Sequence, residues 1–216
     1  METGQSKKEI ALKIASDLLS IGAIKLNKEN PFNWASGWKS PIYCDNRQSL
    51  SYPEIRTYIK NQLAAVVKDK YPEAEAIAGV ATAGIPQGAL IAEALNLPFI
   101  YVRAKAKGHG MTNLIEGKVV TGQKVVVVED LVSTGGSSLK ASADLQAADI
   151  EVLGMVAIFT YGFGIADDNF ENANIELTCL SNYSVMLEKA LELGHIAEEA
   201  VPSLEEWRKD PSTWNG

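Results

Sequence analysis

The run Val125-Val126-Val127-Val128 constrains this chain more than any other stretch. Consecutive β-branched residues without polar alternation suit a strand covered on both faces, as in a parallel sheet between helical layers. Two carboxylates, Glu129 and Asp130, stand where that run ends. The loop Leu131-Val132-Ser133-Thr134-Gly135-Gly136 follows, and a helical pattern opens at Ser137-Ser138. A glycine loop entering a helix collects backbone N–H groups and the positive end of the helix dipole, which suits a phosphate. No Lys follows Gly136, so a Walker loop is excluded and N–H groups, hydroxyls and the dipole must do the holding. The acidic pair would repel that phosphate unless it met another part of the same ligand. Ribose hydroxyls, directly or through Mg2+, meet that need.

The rest of the chain alternates in the same style. Apolar residues recur at helical spacing over 5–20, and a second helix is expected from Pro53 to about Lys70. Short apolar strands are expected at Ala76–Val80, Leu97–Val102, Val125–Val128 and Val152–Thr160, with a sheet edge at Ile175–Leu180. Helices are expected over 86–95 and 137–148, and 103–117 is polar and glycine-bearing. Strands alternating with helices predict an α/β fold, a central mostly parallel sheet with right-handed crossovers. Ligands bind beyond the carboxyl ends of such strands, so 81–85, 103–117 and 129–137 should converge. Trp207 and Trp214 are expected to pin the tail to the body.

Composition removes several classes. A net charge of −7 argues against dependence on a nucleic-acid backbone. No apolar stretch approaches the roughly 20 residues a membrane helix needs, and Met1–Ile10 lacks the apolar core of a secretory signal. Cys44 and Cys179 suit free thiols in a reducing, cytoplasmic setting, packed rather than nucleophilic. His109 and His195 are the two histidines, so His-Glu-x-x-His zinc chemistry is absent, and His195 reads as structural.

Two further segments bear on chemistry. In Arg103-Ala104-Lys105-Ala106-Lys107-Gly108-His109-Gly110, cationic or titratable side chains alternate with Ala or Gly. In an extended chain they would share one face, the composition of a loop that closes over a polyanion. Gly79-Val80-Ala81-Thr82-Ala83-Gly84 is a second glycine turn between strand and helix, a weak signal for another phosphate group.

Together these residues carry a resemblance. Val125–Ser138 resembles the PRPP (phosphoribosyl pyrophosphate) signature of type I phosphoribosyltransferases. Arg103–Gly110 with Met111–Gly117 resembles the catalytic loop of the orotate phosphoribosyltransferase family, and Ser36–Arg47 resembles its N-terminal segment. The resemblance implies a type I phosphoribosyltransferase fold with a small N-terminal hood. It divides one compact domain into 1–50 (helix and base-binding hood), 51–185 (core) and 186–216 (C-terminal helix and tail). It implies transfer of the phosphoribosyl group of PRPP to orotate in UMP biosynthesis, with Mg2+ carried mainly by substrate and within reach of Glu129 and Asp130.

Residue by residue, it implies that Arg103, Lys105, Lys107 and His109 act on the pyrophosphate side, reaching into a neighbouring subunit of a homodimer. Glu129 and Asp130 would hold ribose hydroxyls, and Leu131, Val132, Ser133, Thr134, Gly135, Gly136 and Ser137 would wrap the 5′-phosphate. Ser133, Tyr43 and Cys44 would touch or flank orotate. Ala35 and Ala83 stand where enteric-type members carry Lys; Arg47, which follows the ring-flanking segment, is the candidate for the orotate carboxylate. A purine-type enzyme shares the PRPP signature, but the 36–47 segment argues against it. A PRPP-sensing regulator would need a nucleic-acid face, and no basic stripe exists beyond the 103–109 loop. Neither a nucleic-acid nor a membrane partner is expected.

Overall fold

A computed structural model describes residues 5–34, 37–105 and 114–214. Helix α1 (Lys7–Ser20) opens on a capping box, with Ser6 Oγ accepting from Glu9 N–H and Glu9 accepting from Ser6 N–H. Short strands β1 (Ile24–Leu26), β2 (Phe32–Asn33), β3 (Lys39–Ser40) and β4 (Ile42–Cys44) follow, paired β1 with β4 and β2 with β3. A 3-10 turn over Asn46–Ser51 leads into α2 (Pro53–Lys70), where Pro53 takes the first position because it has no N–H to leave unpaired.

The alternating core comprises β5 (Ala76–Val80), α3 (Gly84–Leu95), β6 (Phe99–Val102), β7 (Ile115–Glu116), β8 (Lys124–Val132) and α4 (Gly136–Gln146). It continues through β9 (Glu151–Thr160), α5 (Gly164–Asn172), β10 (Leu177–Asn182) and α6 (Tyr183–Glu192), and α7 (Val201–Lys209) ends the order. The six-stranded sheet runs β10-β9-β8-β5-β6-β7, parallel except for β7 on the edge. The α/β architecture is therefore as expected, and the edge strand expected at Ile175–Leu180 lies two residues on, at Leu177–Asn182. Among the described residues no helix is long and apolar enough to cross a membrane.

The valine run behaves as its composition dictates. Val126 and Val128 enter one hydrophobic cluster, Val125 and Val127 the other, and all four are buried. The strand outlasts the run, however. Because β9 continues beside it to Thr160, β8 carries on through Glu129 to Val132, with Leu131 opposite Phe159 and Val132 opposite Thr160. Leu131 and Val132 are thus strand residues, and the loop proper is shorter than expected. The 103–117 segment also holds structure its polarity hid: Ile115–Glu116 returns antiparallel to β6, with Arg103 N–H bonded to Leu114 O at 2.8 Å.

The tail is pinned as anticipated. Trp207 is wholly buried against Trp34, Tyr161, Phe163 and Tyr183, and its Nε1 donates to Lys39 O at 3.1 Å. Trp34 Nε1 donates to Ile42 O at 3.2 Å, so the N-terminal strands are bolted to α7 and to the end of β9. Trp214 joins the same cluster.

Candidate active site

Three turns meet at the carboxyl ends of β5, β6 and β8. Gly84 makes the closest approach: a Cβ there would stand 2.3 Å from Val128 O, so a residue without a side chain is required for α3 to start against the acidic strand end. Ala81 N–H donates to Val102 O at 2.9 Å, and the Ala81–Thr82 peptide is cis. A cleft of about 80 Å³ is lined by Val80, Ala81, Arg103, Ala104, Ser137 and Lys140, drawing on all three turns. Two larger clefts, of about 480 and 460 Å³, are lined by Leu114, Ile115, Val119 and Asp144 in one and by Val67, Lys68, Tyr71 and Leu97 in the other. The smaller cleft is the one that joins the three turns and brings Arg103, Ser137 and Lys140 into one lining, so the chemistry points to it.

The phosphate-loop geometry is built by glycine. Gly135 has φ +80°, and a Cβ there would meet Phe170 Cε2 at 2.7 Å. Asn169 Nδ2 on α5 donates to Thr134 O at 2.9 Å and holds the loop from below. No side chain caps the start of α4, so its first N–H groups point into the turn without a side-chain acceptor. Helix α5, which supplies both supports, gives little sequence signal because Ala166 and Phe170 are its only buried residues.

The two carboxylates differ. Glu129 is 6% exposed; its Oε1 accepts from Asp130 N–H and its Oε2 from Ser138 Oγ, each at 3.0 Å. Burial, then the neighbouring Asp130 charge, pushes the Glu129 carboxyl up to about 8. Burial raises Asp130 as well, so the pair holds a proton that isolated carboxylates would release. Ser138 was not singled out in the sequence, although its place in the first turn of α4 is what allows it to reach back to Glu129.

The 43–47 segment lies against this strand end. Asn46 is completely buried; its Nδ2 donates to Asp130 O at 2.8 Å and its Oδ1 accepts from Cys44 Sγ at 3.2 Å. Asn46 was missed in the sequence, where it looks like an ordinary turn residue after Asp45. Burial, then Asp130 and Asp45, raises the Cys44 thiol well above its ordinary range, so it is a hydrogen-bond donor rather than a nucleophile. Burial likewise pushes Cys179 up to about 12. Tyr43 is exposed and its ring lies 5.7 Å from that of Phe32. Arg47 Nε pairs with Asp45 Oδ1 at 2.6 Å, and that hydrogen bond and the Asp45 charge, with Asp130 adding to them, hold the guanidinium above its ordinary range.

Of the basic loop, Arg103 pairs with Glu116 at 3.5 Å, both half-buried, while Lys105 is exposed. Lys107 and His109 lie outside the described residues. Ser133, Thr134, Gly135, Gly136 and Ser137 form the turn and the helix start beside the acidic pair. His195 is exposed, three residues beyond the end of α6.

Residues 49–175 match the model of the phosphoribosyl transferase domain. An orotate phosphoribosyltransferase of Cytophaga hutchinsonii is 58% identical over 202 residues, covering 94% of this chain and 97% of that one. One of Enterococcus faecalis is 52% identical over 206 residues, covering 95% and 98%. Among solved structures, the orotate phosphoribosyltransferase of Aeropyrum pernix superposes with a TM-score of 0.74 at 30% identity, covering 85% of this chain and 99% of that one. With the sheet order, the acidic strand end and the glycine turn in place, these likenesses make the chain a member of the orotate phosphoribosyltransferase family.

Proposed function

We propose that this protein transfers the phosphoribosyl group of PRPP to orotate, releasing pyrophosphate and forming orotidine 5′-monophosphate, a step of pyrimidine biosynthesis. The observation that carries the reading is the strand end Glu129-Asp130 set beside a glycine turn that opens the uncapped helix α4. A 5′-phosphate fits the N–H groups of Ser133–Ser137, and ribose hydroxyls fit the carboxylates Glu129 and Asp130, which Leu131 and Val132 separate from that turn.

In this reading the bond from C1′ to the pyrophosphate oxygen breaks as a ring nitrogen of orotate takes its place. Positive charge grows on the sugar and negative charge on the leaving group. Arg103, Lys105, Lys107 and His109 are assigned to the leaving group, where preorganised cations act most strongly. Tyr43, Cys44 and Ser133 are assigned to the pyrimidine and Arg47 to its carboxylate. Excluding water protects the electrophilic sugar from hydrolysis. No protein nucleophile is needed, which agrees with the raised Cys44 thiol.

Mg2+ fits as a companion of the substrate. Among the described residues no group of three or more His, Cys, Asp or Glu forms a cage, and the Glu129 oxygens already accept from Asp130 and Ser138. That leaves Asp130 as the reachable carboxylate beside a cation bound to substrate oxygens, as magnesium prefers. When bound, the ion would neutralise charge on the departing pyrophosphate. We assign a homodimer in which the basic loop serves the neighbouring subunit, and a cytoplasmic setting in keeping with the two free cysteines.

The test is orotate depletion followed by ultraviolet absorbance. Loss of orotate that needs both PRPP and Mg2+ is expected. Persistence of orotate while PRPP still binds would move the assignment to another base or to a PRPP-responsive regulator.

A further inference from the structure

Asn46 spends its side chain on a contact its own turn does not need. The turn is already held by Asp45 Oδ1 accepting from Arg47 N–H, by Gln48 N–H donating to Asp45 O, and by Ser49 Oγ donating to Asn46 O at 2.6 Å. The carboxamide instead reaches a residue 84 positions away, where Nδ2 donates to Asp130 O. Strand β5 leaves the β8 ladder after Gly79 opposite Val128, so β8 projects past that neighbour and Asn46 takes the Asp130 carbonyl. The other end of the amide accepts from Cys44 Sγ. One buried group thus joins the segment carrying Tyr43 and Cys44 to the end of the acidic strand, using both its donor and its acceptor capacity.

We propose that Asn46 is a positioning residue that sets the distance between the orotate-holding segment and the ribose-holding carboxylate. The inference rests on the assignment of those two segments under the proposed function. The reacting pair is a ring nitrogen on one segment and C1′ on the other. A misplacement of about 1 Å between reactants costs on the order of 100-fold in rate, while each ligand keeps its own contacts. The amide should therefore govern turnover more than either binding constant.

The experiment compares wild type, Asn46→Ala, Asn46→Asp and Ser49→Ala. Asn46→Asp keeps the shape and the acceptor for Cys44 but removes the donor to Asp130 O, so it serves even if the alanine variant folds poorly. Ser49→Ala removes a bond of the same turn that does not cross to β8. Steady-state kinetics and equilibrium binding of PRPP and of orotate are measured for each. Both Asn46 variants should lower kcat about 10- to 100-fold with each dissociation constant within about threefold of wild type. Ser49→Ala should lower the melting temperature with kcat within about twofold. An active wild type whose folded Asn46 variants keep kcat within about twofold overturns the inference alone. So does an equal loss of kcat in Ser49→Ala, which would make the effect a general loosening of the turn. A wild type inert toward orotate and PRPP overturns the proposed function, and this inference with it.

Discussion

Replacing Glu129 by Gln tests the electrostatics of the acidic strand end through folding stability. The side chain is 6% exposed and accepts from Asp130 N–H and Ser138 Oγ, and burial followed by the Asp130 charge pushes its carboxyl up to about 8 from 4.5. Between those two values the folded protein holds a proton that the unfolded chain has released. The unfolded state then binds fewer protons, so stability must fall as pH rises across that window. For one proton the limiting slope is about 1.4 kcal/mol per pH unit. Gln is neutral throughout and close in shape, so its variant loses that slope. Urea unfolding of both proteins at pH 5, 6, 7 and 8 reads the acidic pair as a unit, since titrating groups elsewhere cancel in the difference while Asp130, which shares the proton with Glu129, does not. Wild type should lose roughly 1 kcal/mol per pH unit relative to the variant, mostly between pH 5 and 8. PRPP affinity should run the other way: a carboxylate accepts hydroxyl bonds that a carboxylic acid accepts less well, so the wild-type advantage over the variant should grow with pH. Parallel stability curves, with a constant difference from pH 5 to 8, would mean that Glu129 is ionised throughout and would refute the reasoning.

Other perturbations probe the site and its frame. Arg47→Ala should raise the orotate KM at least tenfold with little change in the PRPP KM; equal rises would remove Arg47 from the orotate carboxylate. Gly84→Ala places a Cβ 2.3 Å from Val128 O, so it should cost about 1–3 kcal/mol in urea unfolding and depress kcat by displacing α3 from the acidic strand. Unchanged stability would show that the approach is looser than described. Trp207→Ala empties a wholly buried site and removes the bond to Lys39 O, so a loss of about 3–5 kcal/mol is expected, with a raised orotate KM because Trp34 and the hood lose their anchor. A destabilised variant with an unchanged orotate KM would separate the hood from base binding.

The sequence by itself determined the architecture and the chemical character of the site. Local periodicity reports what a segment buries, so four valines without alternation could only be a strand covered on both faces. The acidic pair, the glycine turn and the helix start are contiguous, so their juxtaposition needs no long-range folding. The same locality hid the rest. Whether a strand ends at Val128 or Val132 depends on how far β9 runs beside it, and β9 lies elsewhere in the chain. Helix α5 buries too little for a periodic signal, and the two residues of β7 are too short to announce themselves. Tertiary structure alone decided that Glu129 is buried with its carboxyl raised, that Asn46 reaches across 84 residues to Asp130, and that Trp207 locks the N-terminal strands to the tail. The Asn46 and Trp207 contacts depend on partners distant in sequence, and the strand end that carries Glu129 is closed by α3 at Gly84. Burial and hydrogen-bond geometry are properties of such pairings, and no single segment carries them.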